Sequence, residues 1–174
     1  MMIGYKNMAL TLKKKKKIVY EIHQIANKAK SAIIANSSKI PVNAFNKLRK
    51  EARKENVFIC MVKNTLLSIS LKNTDLECLN TKLVGPILIG FALQHPGRAA
   101  KIFTKFEKKF KNFRITTASY NKKILSTSEI ISLANLPSFK EAIIRFMITL
   151  KHKIIGKIIF ILLAIKNKKT IIVN

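Results

Sequence analysis

Apolar residues recur along the chain at helix spacing, then strand spacing, and back again. Ile18, Ile22, Ile25, Ala26 and Ala29 share one helix face, preceded by the run Lys13 to Lys17, with Thr11 placed to cap the start. The short apolar run Ser31 to Ala35 reads as a buried strand and Asn36 to Pro41 as a turn. A second helix starts at Pro41, where a missing N–H is harmless. Its apolar face is Val42, Phe45, Leu48 and Ala52; its outer side carries Lys47, Arg49, Lys50, Arg53 and Lys54. Val57 to Val62 is apolar at every position and predicts a central strand covered on both faces. A third helix follows from Asn64 to about Leu71, with Asn64 as its cap.

Leu83 to Phe91 predicts a third strand, interrupted near its start by Gly85-Pro86 because proline cannot donate to a ladder. Gln94 to Gly97 reads as a turn. The next helix, about Arg98 to Lys111, sets Ala99, Phe103, Phe106 and Phe110 on one side and Lys101, Lys105 and Lys109 in a second stripe. Phe113 to Ser119 is a fourth strand, with Phe113, Ile115 and Thr117 facing one way. A short helix over Ser126 to Leu136, with Thr127 or Ser128 near its cap, stops before Pro137. Ser138 then caps a long helix to about Lys168, and Gly156 marks a bend within it.

Helices interleaved with mostly apolar strands imply an α/β amino-terminal domain, an α+β-like sandwich of two or three layers, followed by a long carboxy-terminal helix. Strand order is not legible in the pattern. The divisions fall at residues 1–136, 137–169 and a tail at 170–174, whose end Ile171 to Asn174 reads as strand-like or disordered. The long helix places Phe139, Ala142, Ile143, Phe146, Met147, Leu150, Ile154, Ile155, Ile158, Ile159, Leu162 and Leu163 at apolar positions. At 1.5 Å per residue it extends about 45 Å, too far for so small a domain to cover. Something else must cover it.

Charge adds the second half of the picture. The 174 residues hold 34 Lys and Arg against 8 Asp and Glu, a formal net charge of +26, while 48% of positions are hydrophobic. That is too apolar for a disordered basic tail and too cationic to be left without a polyanionic partner. Residues 51–100 are nearly neutral and the flanking segments strongly basic. Lysine, isoleucine and asparagine have A/T-rich codons, so nucleotide bias accounts for part of the lysine content, and the 5 arginines carry more weight per residue. Five lysines at a helix amino terminus oppose its dipole unless anions come close; a solvated lysine end is the competing reading. The pairs Arg49–Arg53 and Lys50–Lys54 repel across one turn, which favours phosphate contacts. Lys63 stands where a strand meets a helix amino terminus, as an anion site or as an ordinary lysine at the sheet edge.

Several classes of chemistry are missing. Cys60 and Cys78 are too few for a disulfide scaffold. Asp75 is the only aspartate, the glutamates are scattered, and His23, His95 and His152 lack a ligand-spaced cluster. The 5 glycines form no phosphate-cradling loop. Neither an enzyme nor a metal or cofactor site is expected. Met1 to Leu12 lacks the apolar stretch of a signal peptide, and the longest apolar run, Ile158 to Ile165, is far short of a membrane span.

Short stretches in a fixed order carry a resemblance. They are Met8-Ala9-Leu10-Thr11-Leu12, Leu48-Arg49-Lys50, Val62-Lys63-Asn64-Thr65-Leu66-Leu67, Glu77-Cys78-Leu79, Val84-Gly85-Pro86, His95-Pro96-Gly97-Arg98-Ala99-Ala100, Leu133-Ala134-Asn135-Leu136-Pro137 and Glu141-Ala142-Ile143-Ile144-Arg145. From Met8 to about Lys166 the chain resembles the L10 family of bacterial large-subunit ribosomal proteins, which form the stalk base. The resemblance implies a cytoplasmic, ribosomal protein. Its amino-terminal domain binds large-subunit ribosomal RNA beside the neighbouring stalk-base protein. Its carboxy-terminal helix anchors dimers of the acidic stalk protein, which recruit translation GTPases; some members also repress their own messenger RNA. Mapped onto this chain, the RNA-binding positions are Lys13, Lys14, Lys15, Lys16, Lys17, Arg49, Arg53, Lys63 and Asn64, and the basic residues Lys39 and Lys54 join them as candidates. The dimer-binding positions are Phe139, Ile143, Phe146, Met147, Leu150, Ile154, Ile155, Ile158, Ile159, Leu162 and Leu163.

Three departures from the family pattern are visible. Seven residues precede Met8, so translation starts at Met8 or residues 1–7 are an extension. Ser68-Ile69 stand where the family has Arg-Arg, which weakens RNA contact from that helix. Ile158 to Ile165 carries no charge. The alternative to the ribosomal reading is a peripheral membrane-surface protein whose basic helix over 139–174 lies on anionic lipid, or a generic RNA-binding scaffold.

Overall fold

A computed structural model describes residues 11–38, 40–110 and 112–172, with backbone only for Ile154 and residues 166–172. The candidate contacts Lys39 and the Ile154 side chain, and the question of residues 1–7, lie outside the described residues. The chain divides between Leu136 and Pro137 into two units.

The first unit is built on five strands: β1 (Ser31–Asn36), β2 (Val57–Cys60), β3 (Ile87–Ala92), β4 (Arg114–Tyr120) and β5 (Lys123–Leu125). Their order is β2-β3-β1-β4-β5, and every neighbouring pair is antiparallel. Helices α1 (Leu12–Lys28), α2 (Val42–Lys54), α3 (Asn64–Leu71), α4 (Pro96–Lys109) and α5 (Thr127–Ala134) cover the sheet, with a 3₁₀ turn at Glu77–Lys82. The alternation of side chains along each strand sorts the core into two clusters. On one face Ile33, Ala35, Val57, Leu88, Ala92 and Ala118 meet α2, α4 and α5 through Phe45, Leu48, Phe103, Phe106 and Ile130. On the other, Ala32, Ile34, Ile87, Ile89 and Phe91 meet α1 and α3 through Ile18, Ile22, Leu67 and Leu71. The result is a three-layer α+β sandwich.

Several elements differ from the expectation, each for a physical reason. β2 is an edge strand of 4 residues. Its unbroken apolar run reports two covering layers, Val57 and Ile59 toward one and Phe58 and Cys60 toward the other. Hydrogen-bonding neighbours lie at right angles to that and leave no mark on the pattern. β3 begins at Ile87 because Pro86 cannot donate and Gly85 turns the chain at φ +80. β4 pairs Ile34 with Thr117 but Ala35 with Ile115, so Thr116 is an extra residue. This bulge flips the parity: Phe113 and Ile115 share a face with Ala118, while Thr117 goes to the opposite one. β5 is an addition to the expected strands. It follows the two-residue turn Asn121-Lys122, both at positive φ, in a sequence lacking the usual glycine.

Helix ends fall within a few residues of the expected positions, caps less so. Thr11 occupies the cap position of α1 without a side-chain bond, and Pro41 precedes α2 instead of opening it. Val42 is 73% exposed, and Ala44 takes its place on the buried face. α4 opens at Pro96, where the His95 ring accepts the Gly97 N–H at 3.2 Å, so the expected turn is already helix. Ser126, not Thr127 or Ser128, caps α5; Glu129 accepts its backbone N–H at 2.7 Å and its hydroxyl at 2.8 Å.

The second unit is helix α6 (Phe139–Ile172). Ser138 caps it as expected, reciprocally with Glu141: the Ser138 N–H donates to the carboxylate at 3.1 Å and the Glu141 N–H to Ser138 Oγ at 3.4 Å. The helix runs unbroken through Gly156 and includes residues 170–172, expected to be a tail.

Candidate nucleic-acid interface

The antiparallel register gives the sandwich two distinct edges. Asn36, the last residue of β1, pairs with Ile87 and Arg114, the first residues of β3 and β4. The connections β1–α2, β2–α3 and α4–β4 therefore converge on one edge, with the approach to β3. Ser37 ties two of them together, its N–H and Oγ donating to the Pro86 carbonyl at 3.1 and 3.3 Å. Asn64 ties a third, and here the structure corrects its role. Lys63 occupies the cap position of α3, while the Asn64 amide donates to Leu83 O at 3.3 Å and Gly85 O at 3.0 Å. Between the two segments, Met61 to Thr65 and Gly85 to Ile87 line a shallow hollow of about 490 Å³.

Cations reach this edge from separate elements. Lys63 is exposed on the hollow. α1 ends beside Ser31 at the opposite edge, so its 17 residues carry the exposed Lys13, Lys14, Lys15, Lys16 and Lys17 away from there and over the sheet. α4 runs in from the Ala92 end and delivers Lys108 and Lys109, and Arg114 is exposed at the start of β4. The nearby acid, Glu107, is turned inward to accept the Ile115 N–H at 3.1 Å. Ion pairs among the described residues, Arg98–Glu55 at 3.4 Å and Lys122–Asp75 at 3.2 Å, sit toward the other edge. These acids offset two of the cations at that edge, and among the described residues none forms an ion pair with Lys63, Lys108, Lys109 or Arg114 at the first.

The candidate contacts do not all meet. Lys13 to Lys17, Lys63 and Asn64 belong to the cationic edge. Arg53 and Lys54 lie in the last turn of α2, toward the opposite edge, where they complement the helix dipole. Arg49 is between, its guanidinium 5.4 Å from the centre of the Phe45 ring. Sequence reasoning left Arg114 and Lys108 unremarked, and placed Lys109 in a helical lysine stripe without counting it among the RNA contacts. The scarcity of arginine was the signal that would have marked Arg114.

α6 presents the other unusual surface. Every described side chain from Phe139 to Ile165 is exposed, Phe139 by 79% and Phe160 by 74%. Up to Lys153 polar side chains break the apolar ones; from Ile158 to Ile165 none does. Among the described residues no helix is long and apolar enough to cross a membrane, and no group of His, Cys, Asp and Glu is arranged to hold a metal ion.

The family described as Ribosomal protein L10 matches residues 10–108. The large ribosomal subunit protein uL10 of Buchnera aphidicola subsp. Schizaphis graminum is 51% identical over 162 residues, spanning 93% of this chain and 98% of that protein.

The chain belongs to the ribosomal protein L10 family.

A second uL10, from Buchnera aphidicola subsp. Cinara cedri, is 50% identical over 92% of this chain and all of its own length. That of Aeromonas hydrophila is 40% identical over 93% of this chain and 98% of its own. Membership makes this a protein of the large ribosomal subunit, located in the ribosome in the cytoplasm, from a family of structural proteins and not of enzymes. The resemblance read from the short ordered stretches is borne out.

Proposed function

We propose that this uL10-type chain forms the base of the large-subunit stalk. Residues 1–136 bind large-subunit ribosomal RNA, beside the neighbouring stalk-base protein, through the cationic edge. The segment 137–169, which is α6 from Phe139 on, anchors dimers of the acidic stalk protein, and so supports recruitment of translation GTPases without catalysing a reaction itself. The observation that carries the reading is α6, whose described apolar side chains between Phe139 and Ile165 stand exposed. A helix apolar on all sides is ordinarily buried by a partner, and a flanking set of Lys140, Arg145, Lys151, Lys153 and Lys157 against Glu141 selects an acidic one. Lying on a membrane surface fits less well, because such a helix keeps a polar face and Ile158 to Ile165 has none.

The test is truncation after Leu136. The shortened chain is expected to keep its affinity for ribosomal RNA and to lose co-purifying acidic dimers. Unchanged dimer association would refute the role of α6. For the RNA, log K should fall with log salt at a slope reflecting several released counterions; a flat response would refute the role of the cationic edge.

A further inference from the structure

The hollow at the cationic edge is chemically mixed in a way that a phosphate-tracking surface does not require. Lys63 supplies a cation, and α3 begins there without a side-chain cap: the Lys63 carbonyl accepts the Leu66 and Leu67 N–H groups at 2.9 and 3.0 Å, which leaves those of Asn64 and Thr65 to other acceptors. Around them lie Met61, 45% exposed, and Pro86, while Val84, next to the lining residue Gly85, is 83% exposed. Exposed apolar side chains beside an exposed lysine gain nothing from phosphates alone. No acidic residue lines the hollow, so a basic peptide is disfavoured as its occupant. Gly85 at φ +80 has nothing within 4 Å of where its Cβ would be, so the wall there is open.

We propose that this hollow receives a single unpaired nucleotide of RNA, its phosphate on Lys63 and the first turn of α3 and its base against Met61 and Pro86. The inference rests on the ribosomal-RNA reading above and deepens it. Phosphate contacts place the domain, and the apolar wall distinguishes an unstacked base from a base-paired one. The chain then selects a bulged or looped strand instead of a uniform duplex.

The experiment uses the full chain and two RNA hairpins of equal length, one fully paired and one with a two-nucleotide bulge, titrated over a salt series. The wild type should bind the bulged hairpin about tenfold more tightly than the paired one, the size expected from partial burial of one base against an apolar wall. Met61→Ser should abolish most of that preference while leaving the salt slope unchanged, because no charge is removed. Lys63→Ala should weaken both hairpins and reduce the slope by about one counterion. Both sites are exposed, and unchanged circular dichroism confirms that the variants fold. Salt-dependent binding of both hairpins with no preference, or a preference that Met61→Ser leaves intact, would overturn the inference but not RNA binding. Failure to bind either hairpin or ribosomal RNA would overturn RNA binding itself. Photocrosslinking from 4-thiouridine in the bulge should label the peptide around Met61; labelling confined to α1 or α2 would also count against the hollow.

Discussion

Gly90 lies inside β3, where an added Cβ would stand 2.7 Å from Phe103 Cζ and 2.8 Å from its Cε2. Phe103 is fully buried, with its ring 5.6 Å from that of Phe113. In a core packed at crystal-like density such a ring has little room to yield. Gly90 is not among the residues at positive φ, so alanine brings no backbone strain. By restricting the unfolded chain it would even stabilise by about 0.4–1 kcal/mol. Overpacking costs about 1–3 kcal/mol and wins, so Gly90→Ala should destabilise the first unit by about 1–2 kcal/mol. Phe103→Leu alone removes packing and costs about 1–2 kcal/mol. Together the two should fall short of additivity by about 1 kcal/mol or more, since the smaller side chain vacates the space the methyl needs. Urea unfolding read by tyrosine fluorescence, with hydrogen exchange at β1 and β3 amides, reports the sheet separately from α6; the chain has no tryptophan. A Gly90→Ala variant as stable as wild type, or a strictly additive double variant, would refute the packing argument.

Three further outcomes follow from individual contacts. Burial pushes the Cys60 thiol up to about 12 from 9.0. Iodoacetamide should therefore react with it only slowly below pH 9 in the folded chain and readily after unfolding. Because folding favours the neutral thiol, its contribution to stability is whole below pH 9 and is lost as pH rises from there toward 12. The Ser126 backbone N–H, then its hydroxyl, holds the Glu129 carboxyl below 4.5. The associated stability is present above the ordinary carboxylate range and lost as pH falls through the depressed value, and NMR titration of Ser126→Ala should show Glu129 moving partway back up. A Cβ at Gly97 would collide with the Leu133 carbonyl, so Gly97→Ala should force α5 away from α4. It should cost about 2 kcal/mol, seen as faster hydrogen exchange in α5.

Elements specified by local chemistry are legible in the order of residues. Ser138 and Glu141 cap α6 because the three-residue spacing alone lets each side chain reach the other's backbone N–H. The buried faces of α1 and α4 follow from helical periodicity, which reports burial directly. Hidden features depend on partners distant in sequence. Asn64 has the composition of a cap, yet the carbonyls of Leu83 and Gly85, placed beside it by the β3 approach, claim its amide.

What the sequence by itself determined is the kind of molecule: a cationic α/β body, a long apolar helix joined at Pro137, and the family to which both belong. These rest on patterns repeated within a few residues or on stretches kept in order, and neither needs a third dimension. Only the tertiary structure decided which cations share an edge. Strand order and antiparallel register bring Lys63, Arg114 and Lys109 to one side and leave Arg53 and Lys54 toward the other, because hydrogen bonding between strands is set across the sheet while side-chain pattern records only its two faces.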